Sequence, residues 1–210
     1  MPRKKAERTE TEKMLAGMLY DPSEDALPEK RARAHDLCRE YNATGETERA
    51  QRERILDELL PERGENVYLQ GPIQFDYGCF TTIGDGSYAN FNFTVLDCAP
   101  VRIGRNVFFG PNVSVYTAQH PMRWQERNPF VKPNGAMTDL EYARPIVIGD
   151  NCWIAGSVVI CGGVTIGAGS VIGAGSVVTR DIPADVFAAG NPCRVIRPIT
   201  QSGRTPEHKD

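Results

Sequence analysis

The sequence predicts a mainly β fold: a left-handed parallel β-helix with an N-terminal α-helical segment and one extruded loop. Three observations carry this expectation. Ile148, Ile154, Ile160, Ile166, Ile172 and Val178 stand six residues apart without a break. Composition is divided: 29 of the 51 charged residues fall within residues 1–66, whereas 17 of the 20 glycines come after residue 66. The six-residue period also disappears between Tyr116 and Pro145 and resumes at Ile148.

Residues 1–66 read as short amphipathic helices. Met14, Leu15, Met18 and Leu19 recur at one-face helical spacing, as do Ala34, Leu37, Cys38 and Tyr41. Pro28 stands where a helix starts, since its missing N–H costs nothing in the first turn. Ile55, Leu56, Leu59 and Leu60 form a third apolar face that stops at Pro61. Helices this short cannot build a core alone and must dock on another element.

Residues 67–200 read as the solenoid. A helical period of 3.6 would not hold six consecutive apolar residues on one face at a spacing of six, and the glycine and β-branched content also opposes a helix. Short strands that turn at fixed intervals satisfy the pattern. Three such units per coil give a triangular prism with the aliphatic residue pointing inward. An earlier stretch carries the repeat less regularly through Ile83, Ala89, Val95, Ile103, Phe109 and Val115. The step from Val95 to Ile103 is eight, which predicts two residues extruded near Ala99 and Pro100. The segment 117–145 is expected to leave the prism as a loop, and a loop of that length is usually functional. Residues 201–210 read as a polar tail.

A net charge of -3 offers no general electrostatic attraction to nucleic acid or to an anionic membrane. There is no apolar run long enough to cross a bilayer, and Met1–Glu12 is charged with no apolar stretch behind it, which predicts a soluble cytoplasmic protein. The six cysteines form no Cys-x-x-Cys pair and are expected to be buried free thiols.

Several segments resemble one family. Ala89-Asn90-Phe91-Asn92, His120-Pro121 at the mouth of the loop, Ile148-Gly149-Asp150-Asn151-Cys152-Trp153-Ile154 and Ala189-Gly190-Asn191-Pro192-Cys193-Arg194-Val195-Ile196 are similar to the maltose and galactoside O-acetyltransferases among the hexapeptide-repeat acyltransferases. Gly17-Met18-Leu19-Tyr20-Asp21 and Leu27-Pro28-Glu29-Lys30-Arg31 resemble that family's helical N-terminal segment. The resemblance covers roughly residues 12–200. It implies a homotrimer with active sites between neighbouring prisms, acetyl-CoA as acetyl donor in a groove, a sugar acceptor under the N-terminal helices, and no metal.

His120 is the candidate general base. A sugar hydroxyl is a poor nucleophile until its proton leaves, and neutral imidazole suits that task near pH 7. Of the other two histidines, His35 lies in a predicted helix and His208 in the tail. By resemblance, Asn90 holds the acceptor hydroxyl; read from the residues alone, it could equally be an asparagine at a left-handed corner. Tyr88 is expected to border the same pocket. Asp21, Arg31 and Asp76 match acceptor positions, and carboxylate and guanidinium groups are natural partners for sugar hydroxyls. Galactoside-type members resemble a serine at the place of Asp76 and a carboxylate at the place of Cys98, so both departures count against a galactoside acceptor. Glu141 is a candidate to orient His120 or to meet the sugar. Trp153, Gly156 and Ala174 match the acetyl-CoA groove, where small side chains admit an extended pantetheine. Thr179, Arg180, Arg194 and Arg197 match contacts at the CoA end, where arginine suits phosphate.

Other readings lie beside this one: an O-acetyltransferase for a non-sugar acceptor, a serine or antibiotic acetyltransferase, and a non-catalytic β-helix binding protein. A zinc enzyme of the β-helix carbonic-anhydrase kind would need several histidines around the metal, and the solenoid region has only His120.

Overall fold

The computed structural model describes residues 8–200; the polar tail and His208 lie outside the described residues. Three helices lead into the solenoid: α1 (Glu10–Leu15), α2 (Leu27–Asn42) and α3 (Arg49–Leu59). A capping box opens α1, in which the Thr9 hydroxyl accepts from the Glu12 N–H and the Glu12 carboxylate accepts from the Thr9 N–H. Pro28 sits in the first turn of α2, as its chemistry requires. The predicted inner faces of α2 and α3 are buried at Ala34, Leu37, Cys38, Tyr41, Ile55, Leu56, Leu59 and Leu60. The expectation fails for the first helix. Gly17 turns the chain with φ +68, so only Met14 is buried and Leu15, Met18 and Leu19 stay about 40–47% exposed.

From Tyr68 onward the chain winds into coils whose strands stack in parallel register on three faces. The first face carries Tyr68–Leu69, Tyr88–Ala89, Phe108–Phe109, Trp153–Ile154, Val171–Ile172 and Val186–Ala189. Ile73–Phe75, Phe93–Leu96, Ser114–Tyr116, Val159–Cys161 and Val177–Val178 form the second. The third is Thr81–Ile83, Val101–Ile103, Ile146–Ile148 and Thr165–Ile166. Arg194–Pro198 closes the first face as an antiparallel strand. All six residues of the uninterrupted repeat are inside the prism, from Ile148 at 1% exposed to Ile154, Ile160, Ile166, Ile172 and Val178 at 0%.

Stacking explains the small residue that follows each apolar one. A Cβ on Gly149 would lie 2.5 Å from the Ala168 nitrogen and 2.8 Å from its Cα, both backbone atoms of the next coil. Gly149→Val is therefore expected to cost about 2–3 kcal/mol, read as a drop in Tm of roughly 5–10 °C for a chain of this size. Left-handed corners use asparagine at Asn92, Asn106, Asn112 and Asn151, with φ between 54 and 60. Asn90 is not among these positive-φ corners, so it does not serve the structural purpose left open for it; its side chain instead accepts from the Phe91 N–H at 2.7 Å.

The eight-residue step recurs. Phe75 to Ile83 also spans eight positions, one coil before Val95 to Ile103, and the extruded loop leaves one coil later from the same corner. Three successive coils thus widen at the corner between the second and third faces, at residues 76–80, 97–100 and 117–145. All six cysteines are free, in agreement with the sequence, but Cys79 is exposed and Cys161 half-buried because they fall on a widened corner and at the end of an outer rung. No helix among the described residues is long and apolar enough to cross a membrane.

Candidate active site

The widened corners build a cavity of about 460 Å³. His120, Asp76, Cys98, Arg31, Glu141 and Asp139 face it, together with Ser23 and the end of the loop. A larger hollow of about 570 Å³ lies between α3 and the first coil and contains none of the candidate residues.

The first corner supplies Asp76. A neighbouring buried carboxylate holds that corner: Asp97, 0% exposed, accepts from the Tyr77 N–H at 2.8 Å and from the Thr81 hydroxyl at 3.0 Å. Burial raises the pKa of Asp97, and these donors oppose the shift. Asp76 receives the Cys98 thiol at 3.6 Å, and its other oxygen lies 3.6 Å from His35 Nε2. Burial and the Asp76 carboxylate push the Cys98 thiol well up, so it is protonated and donates. From α2, Arg31 reaches in and donates to the Tyr77 hydroxyl at 3.2 Å. Burial works against the Arg31 charge, and Tyr77, Asp76 and Glu141 more than restore it.

The loop supplies His120. Its two ends pair as an antiparallel ladder, Ala118–Gln119 against Tyr142–Ala143, which brings His120 beside the returning strand. His120 Nδ1 lies 3.7 Å from Asp139 Oδ2, and ligand atoms of His120, Asp139 and Glu141 all fall within 4.8 Å of one another. Glu141 is tied to the N-terminal segment, accepting from the Tyr20 hydroxyl at 2.9 Å, while Tyr20 and Glu141 also exchange main-chain hydrogen bonds.

Farther along, the loop forms a short helix, α4 (Trp124–Arg127), and a hairpin of Phe130–Val131 with Met137–Thr138. That hairpin lands on Asp21. The Asp21 carboxylate accepts from the Thr138 hydroxyl at 2.5 Å, from the Ser23 N–H and hydroxyl at 2.9 and 2.7 Å, and from Lys132 Nζ at 3.0 Å. Lys132 also pairs with Glu24. Asp21 is thus a buried anchor for the cavity wall, with Pro22 and Ser23 rather than its own side chain facing the hollow.

Burial opposes the Asp21 charge, but the donors from Thr138, Ser23 and Lys132 outweigh it and hold the pKa at about 2, below the ordinary 3.8. A depressed carboxylate contributes stability that is complete above about pH 4 and is lost as pH falls through about 2. Asp21→Asn should be less stable than the parent at pH 6, and the difference should shrink between pH 4 and pH 2 in denaturant midpoints measured across that range.

A second group of candidates gathers elsewhere. Tyr88, Asn90 and Trp153 line an open hollow of about 350 Å³ with Phe108, Phe109 and Gly110, at the corner between the first and second faces. The second-face strand Phe93–Leu96 separates this corner from Asp97 and Cys98. Within one chain, therefore, Asn90 and His120 face different hollows at different corners of the prism.

The groove residues continue along that corner. Gly156 stacks beneath Gly110, and the Gly175 N–H donates to the Gly156 carbonyl at 3.0 Å. A Cβ at Gly156 would meet Pro111 at 3.3 Å, a tight fit, whereas at Gly110 it would lie 2.5 Å from the Gly156 nitrogen. Coil stacking therefore demands glycine at 110 far more strongly than at 156. Ala174, Thr179, Arg180, Arg194 and Arg197 are exposed, with Arg197 over the Phe187 ring at 5.7 Å.

Sequence reasoning missed Asp139, Thr138, Lys132, Asp97 and the approach of His35 to Asp76. The repeated eight-residue step was a readable signal for Asp97, since it marked a second widened corner. Nothing in the local sequence indicated which loop carboxylate would meet His120.

Residues 13–64 match the maltose acetyltransferase hexapeptide capping motif, and residues 145–180 match the six-repeat bacterial transferase hexapeptide. The galactoside O-acetyltransferase of Escherichia coli (strain K12) is 44% identical over 200 residues, covering 95% of this chain and 94% of that protein. A solved galactoside acetyltransferase in complex with coenzyme A aligns with a TM-score of 0.87 and 43% identity, over 97% of this chain and 98% of that one. A maltose O-acetyltransferase from Clostridium difficile 630 aligns with a TM-score of 0.83 and 42% identity, over 92% of this chain and 99% of that one.

Proposed function

We propose a function for a chain that belongs to the maltose and galactoside O-acetyltransferase family of hexapeptide-repeat acetyltransferases: it moves the acetyl group of acetyl-CoA directly onto a hydroxyl of a maltose- or glucose-like sugar. The single observation that carries the reading is His120 at the mouth of a polar cavity walled by the N-terminal segment and the widened corners.

His120 takes the proton of the acceptor hydroxyl as that oxygen attacks the thioester carbonyl carbon. The C–O bond forms, the C–S bond breaks, and the imidazolium returns its proton to the departing sulfur. Arg31, Asp76 and Glu141 hold the other sugar hydroxyls. Acetyl-CoA supplies the activated acyl group, and Trp153, Gly156 and Ala174 fit its pantetheine, with Thr179, Arg180, Arg194 and Arg197 toward its phosphates. Asp76 and Cys98, which donates its thiol to the Asp76 carboxylate, stand where galactoside-type members resemble a serine and a carboxylate, and these departures support a maltose- or glucose-like acceptor over a galactoside.

The placement of His120 and of Tyr88, Asn90 and Trp153 at different corners of one prism supports a homotrimer in which one protomer brings its His120 cavity to the first-to-second-face corner of its neighbour. Asn90 then meets the acceptor across the interface. The reading is tested by incubating the protein with acetyl-CoA and a panel of sugars while free thiol is measured. Turnover with glucose or maltose at higher kcat/KM than with galactosides is expected; no acceptor-dependent thiol release on any sugar overturns it.

A further inference from the structure

We propose that Asp139 is the positioning residue for His120, accepting from its Nδ1–H and leaving Nε2 as the unprotonated nitrogen that faces the acceptor. This rests on His120 being the base. The observation behind it is a division of labour between the two loop carboxylates. Glu141, a candidate either to orient His120 or to meet the sugar, gives one carboxylate oxygen to the Tyr20 hydroxyl at 2.9 Å and its backbone to a bridge with Tyr20, so it fastens the returning strand to the N-terminal segment. Asp139 stands two residues earlier and brings Oδ2 to 3.7 Å from His120 Nδ1. Between the aspartate and the first turn of the hairpin, Thr138 donates to buried Asp21, which ties the chain on the other side of Asp139. The aspartate is thus held between two anchored neighbours, while the histidine follows directly on the Ala118–Gln119 rung and precedes buried Pro121. The 3.7 Å separation is longer than a hydrogen bond, and the proposal requires it to close when an acceptor fills the cavity, as catalytic contacts that are long in an empty site often do.

Chemically, an imidazole with free rotation and two tautomers presents a lone pair to the acceptor only part of the time. A carboxylate at Nδ1 selects one tautomer and stabilises the imidazolium formed during proton transfer. The other charged or titratable groups around the cavity are Glu141 on the returning strand, Asp76 and Cys98 on the widened corners and Arg31 on α2. Asp139 is the carboxylate that pairs with the His120 ring.

The test uses the full-length protein, with Asp139→Asn, Asp139→Glu and His120→Ala compared with the parent. Asp139→Asn should lower kcat about 10–100-fold with the acceptor KM changed less than about threefold, because an amide can donate to Nδ1 and hold the wrong tautomer. Loss of the carboxylate leaves the imidazolium formed in the reaction without its counter-charge, so the acid limb of kcat/KM should move to lower pH. Asp139→Glu should restore much of the rate, and 15N spectra of His120 should show the Nδ1–H tautomer in the parent and a shift toward the Nε2–H tautomer in Asp139→Asn. Parental kcat and an unmoved acid limb in Asp139→Asn, beside an inactive His120→Ala, would overturn the positioning role alone. A loss of rate with an unmoved acid limb and an unchanged tautomer would also overturn it, by assigning Asp139 to loop architecture. Retained activity in His120→Ala would instead remove the base reading on which the proposal stands.

Discussion

Replacing His120 with alanine is expected to lower kcat for sugar acetylation by about 10²–10⁴-fold, the range general-base catalysis usually supplies. On the proposed reading Arg31, Asp76 and Glu141 still hold the acceptor, so its KM should change little. A fall in kcat and kcat/KM together marks a group that acts in the transition state rather than in binding. The side chain is 46% exposed and its departure leaves a solvent-facing gap at the loop mouth, so the thermal midpoint should stay close to the parent's. Thiol release at saturating acetyl-CoA and acceptor measures the effect. Activity within tenfold of the parent would exclude imidazole from the rate-limiting proton transfer.

A mixture of two inactive proteins is expected to recover activity. His120→Ala and Asn90→Ala should each fall to a few per cent of the parent or less when alone, because on the proposed reading the first removes the base and the second removes the donor that holds the reacting hydroxyl. If the site joins His120 of one protomer to Asn90 of the next around a three-fold axis, every mixed trimer contains one interface with both residues intact. Random assembly from equal amounts puts about three quarters of trimers in mixed form, each with one good site in three, so roughly a quarter of the parental rate per protomer should return. The two variants are co-expressed or unfolded and refolded together, and the rate is compared with that of the same proteins mixed after folding. No gain on co-assembly would place both residues in one chain's site or remove Asn90 from it. The result does not depend on the identity of the sugar, provided the parent turns it over.

Much of the scaffold was legible because a solenoid repeats one local rule. The inward Ile and Val, the small residue after each, and the exit at Tyr116 all follow from stacking strands at a fixed spacing, and each is found in place. The first helix was misread for an equally local reason: Gly17 ends it a turn early, and a face drawn through Met18 and Leu19 continued past a residue that adopts φ +68. The candidate site was legible in part. His120, Asp76, Arg31 and Glu141 do converge on one cavity, and Tyr88, Asn90 and Trp153 on another hollow. Asp21, expected to meet the acceptor, instead has its carboxylate engaged by Lys132 and Thr138 of the loop, while its neighbours Pro22 and Ser23 face the cavity.

By itself the sequence determined the period, hence the prism, and the interruption, hence the loop that carries His120. Those are one-dimensional properties, set by which residues tolerate a buried rung or a tight corner every six positions. Only the tertiary structure decided which of the loop's acidic groups meets the histidine, that three widened corners stack into one cavity, and that Asn90 lies a full face away from it. Such pairings depend on how coils of unequal length align and where an aperiodic loop lands. Asp139 lies 19 positions from His120 in the chain, and no repeat relates them. Their approach is fixed by a two-residue ladder, a tyrosine from the N-terminal segment and a threonine on a buried aspartate.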